Sequence, residues 1–359
     1  MHFGNIRQIG GPWLAAICVT MRLPGEICSS PADLPAGMEL RSLARKSERM
    51  GFISEIRHPT TWYTKLAIVI LALFLFLLLA AGATAGYLIY RMTSPSVGHS
   101  EINLGNFPGH PEKLDFTVNG EGPRDGWFFP GLKNAPSIVL CHAYGSSRGE
   151  LLTLASALQD QQYNVLVIDF SGHGTSGGRS TLGFREVAEL RAAMDAVAMH
   201  GDVDANRFGL WGVNLGAYVA LSEATNDRRV RAIAVESVYD RPEDMVALQV
   251  SRAGLGSLPM VTPMAKMIFG WLNSPFRNVL PLRTRIAKLS GVPQLYLESG
   301  DEPQFATSTS DLFRLSSPPH ELAVLPRGNY AGMLDDEKRS YENRIVSFFL
   351  TNLPPSGGQ

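Results

Sequence analysis

Cysteine is scarce in this chain: 359 residues contain only Cys18, Cys28 and Cys141. Three residues so placed form neither a disulfide framework nor a metal-binding spacing. Unpaired, small apolar side chains are the plain reading. Charge of one sign is missing too. Lys and Arg total 32 against 33 Asp and Glu, with no long block of either. That balance lacks the electrostatic footprint of a nucleic-acid binder. No cofactor motif is present, and no metal or cofactor is expected. With 45% hydrophobic and 18% charged residues, the length suits one large domain with extra segments, or two modest ones.

One stretch has no charge at all. Residues 66–90 read LAIVILALFLFLLLAAGATAGYLIY, longer than the roughly 20 apolar residues that cross a bilayer. A buried helix of a soluble protein is seldom apolar on every face for this length. Ala83-Thr84-Ala85 resembles a signal-peptide cleavage site, but signal h-regions run only about 7–15 residues. An uncleaved anchor in the lipid bilayer is therefore expected. Arg45, Lys46, Arg49, Arg57 and Lys65 precede the run, and only Arg91 follows closely. The positive side stays inside, so the N-terminus is expected in the cytoplasm and the large C-terminal part outside it.

Residues 1–65 are then a cytoplasmic segment, partly disordered and broken by Pro12, Pro24, Pro31 and Pro35. The natural start at Met38 or Met50 is one hypothesis. Residues 91–114, rich in Pro, Gly, Ser and His, read as a linker. Residues 353–359 form a tail.

Residues 115–352 alternate strand and helix. Short apolar runs at Ser137–Cys141, Asn164–Asp169, Phe208–Trp211, Arg231–Val235, Gln294–Leu297 and Glu321–Leu325 suit buried strands. Leu151, Leu154, Ala155 and Leu158, then Phe184, Val187, Leu190, Met194 and Val197, recur at helical spacing. This order predicts a mostly parallel sheet with helices on both faces. Leu114–Val118 and Gly126–Phe129 predict an antiparallel entry. Residues 241–290 read as a helical cap insertion; its Met245, Met260, Met264 and Met267 suit either an adaptable apolar lining or ordinary packing.

Ligands bind such sheets at the carboxyl ends of the strands. Three loops stand there: His142-Ala143-Tyr144-Gly145-Ser146-Ser147, then Asp169-Phe170-Ser171-Gly172-His173-Gly174-Thr175-Ser176-Gly177, then Gly212-Val213-Asn214-Leu215-Gly216. In order and spacing they resemble the serine α/β-hydrolase superfamily. They are most similar to its bacterial membrane-anchored esterase or acyl-aminopeptidase-like branch, where the loops read His-Gly-x-Gly, Asp-x-x-Gly-His-Gly-x-Ser and Gly-x-Ser-x-Gly. The resemblance covers roughly 115–352 and implies the α/β-hydrolase fold and an ester- or acyl-cleaving site.

The residues that such chemistry needs are replaced. The resemblance puts the nucleophile at Asn214, on a tight strand-to-helix turn flanked by Gly212 and Gly216. An amide forms no ester-linked intermediate, although Asn tolerates the positive φ of the turn. The acid position falls on Pro303, with Asp301 and Glu302 beside it; Glu236 and Asp240, after the preceding strand, read like these as solvated carboxylates. The base position falls on Tyr330, whose phenol, with an ordinary pKa of about 10, is a poor base at neutral pH. Backbone N–H groups of Ala143 and Leu215 are the expected oxyanion donors. His142 and Tyr144 flank them as ligand-binding candidates. His142 and His173 read as loop-shaping residues, and Ser146 and Ser147 as helix caps.

The leading expectation is a membrane-anchored, non-catalytic homologue, a pseudoenzyme that binds an acyl, ester or peptide-like ligand or an unidentified protein partner. The alternative is an active esterase or acyl hydrolase with relocated catalytic residues. A third reading is a structural envelope protein that uses the fold as a docking surface.

Overall fold

The computed structural model describes residues 61–95, 107, 109–118, 120, 122–300, 303–328 and 330–355. The expected cytoplasmic segment up to residue 60, Cys18 and Cys28, most of the expected linker, and Asp301 and Glu302 lie outside the described residues. The described residues divide into two units, one up to Phe76 and one from Leu77 onward.

Helix α1, Trp62–Thr93, contains the whole uncharged run and exceeds it at both ends. It is long and apolar enough to cross a membrane. From Leu77 onward α1 belongs to the second unit. There it buries Ala85, Ile89, Met92 and Thr93, positions that recur at helical spacing along one face. The stretch that read as a linker from residue 91 is therefore still helical and packed at Met92 and Thr93.

The second unit is built on eight strands: β1 Glu112–Val118, β2 Gly122–Phe129, β3 Ala135–Cys141, β4 Asn164–Ile168, β5 Val203–Val213, β6 Val230–Glu236, β7 Gln294–Ser299 and β8 His320–Leu325. They lie in the order β1-β2-β4-β3-β5-β6-β7-β8. β1 and β2 pair antiparallel, β2 joins β4 antiparallel, and all other pairs are parallel. This is the α/β-hydrolase arrangement that the resemblance implies.

Strands with both faces covered are apolar at every position, and β3 and β4 are buried throughout. Successive side chains point to opposite faces. Val139, Cys141, Leu166 and Ile168 therefore join one core, and Ile138, Leu140, Val165 and Val167 the other. The first core is roofed by α3 Glu186–Ala198, α4 Leu215–Ala224, and the cap helices α5 Pro242–Arg252 and α6 Val261–Leu272. α7 Pro303–Leu315 adds Phe305 and Leu312 to it. The second core is covered by α2 Leu152–Asp160 and α8 Asp335–Asn352. Every residue of α4 is buried, as expected of a helix wedged beneath a sheet's working edge.

Candidate functional site

β5 ends at Val213 and α4 begins at Leu215, so Asn214 makes the turn alone. Its backbone lies at φ 37° and ψ −91°, a strained region that a structure tolerates where surrounding contacts enforce it. Those contacts are visible. Asn214 N donates to the Glu236 carbonyl at 2.9 Å, and the Asn214 carbonyl accepts from Tyr218 N at 3.0 Å. The glycines are required by close approach: a Cβ on Gly216 would stand 2.1 Å from the Cys141 carbonyl oxygen, and one on Gly212 2.4 Å from Gly216 C.

The Asn214 side chain turns inward. Its Oδ1 accepts from Leu215 N at 2.5 Å and from Tyr144 N at 2.7 Å. The N–H that joins that of Leu215 on this oxygen is Tyr144's, the residue after the expected donor Ala143. The cause lies in the preceding peptide. His142 Nδ1 meets the Ala143 carbonyl at 2.8 Å, and His142 Nε2 accepts from Phe170 N at 3.0 Å. The ring holds the loop so that the next N–H, at Tyr144, faces residue 214.

Both histidines near the turn are buried and neutral. Burial lowers His142 to about 4 and His173 to about 3. His142 must carry its proton on Nδ1, because Nε2 is an acceptor, so its lone pair is already used. His173 Nδ1 meets the Ser171 carbonyl at 3.1 Å, and its ring lies 5.0 Å from His142 and 5.5 Å from Tyr144. Burial pushes the Tyr144 phenol up to about 12. These contacts keep the rings as loop supports.

Tyr330 packs in the second core. Its hydroxyl donates to the Glu342 carboxylate and lies 2.9 Å from Thr153 Oγ1. Its ring packs 5.4 Å from Trp211 and 5.4 Å from Tyr341. Burial drives its pKa well above the ordinary phenol value, which removes it further from base chemistry. Pro303 opens α7 and is exposed; it has no ionisable group to orient a base.

Glu236 and Asp240 are not solvated, contrary to their reading as surface carboxylates. Glu236 is fully buried; its Oε1 accepts from Ser299 Oγ at 2.9 Å, and it bonds the Tyr341 phenol. Asp240 is 4% exposed and holds Arg283 through the backbone N at 2.8 Å and Nε at 2.7 Å. These partners come from distant elements, so sequence alone did not reveal them. Ser146 and Ser147 are not helix caps either: Ser146 bonds Glu150, and Ser147 makes no capping bond to the short turn it precedes.

Among the described residues at this end of the sheet, no imidazole bonds a hydroxyl or thiol. A Ser316–His320 pair at 2.6 Å exists, but His320 begins β8, at the opposite end of the parallel strands. Burial raises the Cys141 thiol far above its usual range, so it is no nucleophile.

One participant went unread in the sequence. The last turn of α1 belongs to the loop cluster: Tyr144 Oη donates to the Met92 carbonyl at 3.0 Å, and Ser180 N to the Thr93 carbonyl at 2.8 Å. A packed face at Ala81, Gly82, Ala85, Ile89 and Met92 was the available signal, masked by uniform apolarity.

A family model described as "Alpha/beta hydrolase family" matches residues 138–343. The chain is 27% identical over 201 residues to the polyketide transferase ATR5 of Stachybotrys chlorohalonatus, covering 54% of this chain and 59% of that protein. It is 28% identical over 209 residues to an uncharacterized protein of Mycobacterium tuberculosis, covering 56% and 66%. Thus it spans less than two thirds of the length of both. It is 23% identical over 259 residues to the uncharacterized protein YfhR of Escherichia coli, covering 69% and 84%. Among solved structures, a Pyrococcus furiosus esterase aligns with a TM-score of 0.58 at 17% identity, over 72% of this chain and 99% of that one; at that identity the likeness concerns the fold.

Proposed function

This chain belongs to the α/β hydrolase family, and from that premise we propose that it is a membrane-anchored member without serine-hydrolase chemistry, whose cleft binds an acyl, ester or peptide-like ligand. One observation carries the reading: at the position where the family places its nucleophile, the side chain is the Asn214 amide, and its oxygen occupies the two N–H donors of Tyr144 and Leu215. Those donors suit a carbonyl or carboxylate oxygen. Asn214 itself supplies such an oxygen, so a ligand carbonyl enters by displacing the side chain.

The anchor is α1, with the N-terminus in the cytoplasm and the hydrolase-like domain outside. The basic residues before the apolar run support that orientation. A reporter fused after Gln359 that works only in the cytoplasm would contradict it.

Labelling the full-length protein with a fluorophosphonate probe tests the absence of serine chemistry. No covalent adduct is expected, and stoichiometric labelling overturns the reading. An esterase with relocated residues would need an imidazole within about 3.2 Å of a hydroxyl in the cleft. The described side chains there supply none, which favours the first reading.

A further inference from the structure

Cap helix α6 is apolar on nearly all sides, with Lys266 its one charged residue. It buries only Val261, Ala265 and Phe269. Met267 is 65% exposed and Trp271 75% exposed. Leu258, Met260, Leu272 and Leu280 extend the same exposed apolar surface on either side. A helix apolar all round belongs in a core or in lipid, and a contiguous exposed patch of this kind marks an interaction site.

Two further observations identify what covers it. First, the patch adjoins the apolar helix. A Cβ on Gly82 would stand 3.0 Å from Met264 Cε, so α6 packs against α1 at Gly82. Trp62 and Tyr63 precede the apolar run, and Tyr87 and Tyr90 close it, all exposed. Such aromatic pairs mark membrane–water boundaries. Residues 66–86 between them span about 31 Å as helix, matching a hydrocarbon core of about 30 Å. Gly82 lies four residues before Gly86, roughly 6 Å inside that boundary. The element that touches Gly82 must therefore reach the acyl layer.

Second, the segment that carries the patch is basic, with Asp244 pairing Lys266 at 3.9 Å and Asp240 pairing Arg283 at 2.7 Å from just outside it. From Met245 to Leu297 there is no Asp or Glu, while Arg252, Lys266, Arg277, Arg283, Arg285 and Lys288 are present. The rest of the chain holds 26 Lys and Arg against 33 Asp and Glu. A basic rim around exposed Met, Trp and Leu is the composition of an interfacial helix on an anionic leaflet.

We propose that the cap face formed by α6 and its flanking loops lies in the headgroup–acyl boundary of the bilayer that α1 spans, held by Met267 and Trp271 in the acyl layer and by the basic residues at the headgroups. This rests on the anchoring part of the proposed function. Its consequence is that the cap, which roofs the core above Asn214, opens toward lipid and receives ligand from the membrane.

The test uses the full chain reconstituted in vesicles containing phosphatidylglycerol. Trp271 fluorescence is isolated as the difference between the wild type and Trp271→Phe, a conservative change at an exposed site. Lipids brominated near the headgroup end of the acyl chains should quench about half or more of that component, as expected for a side chain some 5–10 Å into the boundary. Weaker quenching is expected in vesicles of phosphatidylcholine alone. A Trp271 component untouched by brominated chains overturns the proposal. Aqueous iodide would then show whether water or a protein partner covers the face instead. Alkaline carbonate extraction separates the two claims: a protein that stays in the membrane with Trp271 unquenched refutes the docked cap alone, whereas a protein released by carbonate refutes the anchor and the docked cap together.

Discussion

Tyr144 gives its backbone N–H to the Asn214 side chain at 2.7 Å. The same residue gives its phenol hydroxyl to the carbonyl of Met92 at 3.0 Å. A single residue thus joins the turn that the family uses for attack to the end of the apolar helix. The Asn214 oxygen satisfies two buried donors that would otherwise be costly to leave unpaired.

Serine at 214 should not restore ester cleavage. In Asn214→Ser, and in the double variant Asn214→Ser with Tyr330→His, hydrolysis of p-nitrophenyl esters is expected to stay at background. A hydroxyl needs a base in reach, and residue 330 projects among Thr153, Glu342 and Trp211. Turnover by the double variant above that of either single variant would show that residue 330 can reach the turn.

Emptying the donor pair should help a ligand. Asn214→Gly keeps the positive φ but removes the internal oxygen. Losing two hydrogen bonds should cost about 1–3 kcal/mol of stability. Fatty-acid binding, read as a thermal shift, should increase relative to the wild type. An unchanged or smaller shift would place the ligand elsewhere.

Gly216→Ala should be severely destabilising, by about 2–4 kcal/mol. The new methyl would meet a backbone carbonyl, that of Cys141, at 2.1 Å, and backbone on neighbouring strands cannot yield. Chemical denaturation measures it. Gly201→Ala, where a Cβ meets nothing within 4 Å, is the control.

Much of this molecule was legible before its structure. The strands at 137–141, 164–168 and 294–297 were readable because buried parallel strands show uninterrupted apolar runs. β5 begins at Val203, before the apolar run at Phe208; the polar Asp204, Asn206 and Arg207 between them are not buried and hid its start. The turn at Asn214 was readable from its glycines. Which N–H faced it was not, since the His142 ring decides that through bonds to Ala143 and Phe170. The direction of the Tyr330 side chain was not legible either, since it depends on Glu342 and Thr153, contacts that span 12 and 177 positions.

A pH dependence follows from the loop behind the site. Glu189 accepts from Ser171 N at 2.9 Å and from Ser171 Oγ. Burial, reinforced by the nearby Glu186 charge, raises it from 4.5 to about 7. The folded state therefore binds a proton that the unfolded state has released between those values. The stabilisation is complete below about pH 4.5 and is lost as pH rises through about 7. Within that window the contribution approaches about 1 kcal/mol per pH unit. Glu189→Gln should flatten this slope in urea denaturation at pH 5, 6, 7 and 8. An unaltered slope would assign the dependence to other groups.

The bonds from Ser180 and Tyr144 to the last turn of α1 bear on how this protein can be handled. A secreted or crystallisable fragment beginning after residue 95 would lose the carbonyls of Met92 and Thr93 and uncover the trough that receives Ala85, Ile89 and Met92. What remained would be a sticky, partly unsupported body with altered loops, so assays on a clipped, detergent-free preparation would report on a different molecule from the full-length chain.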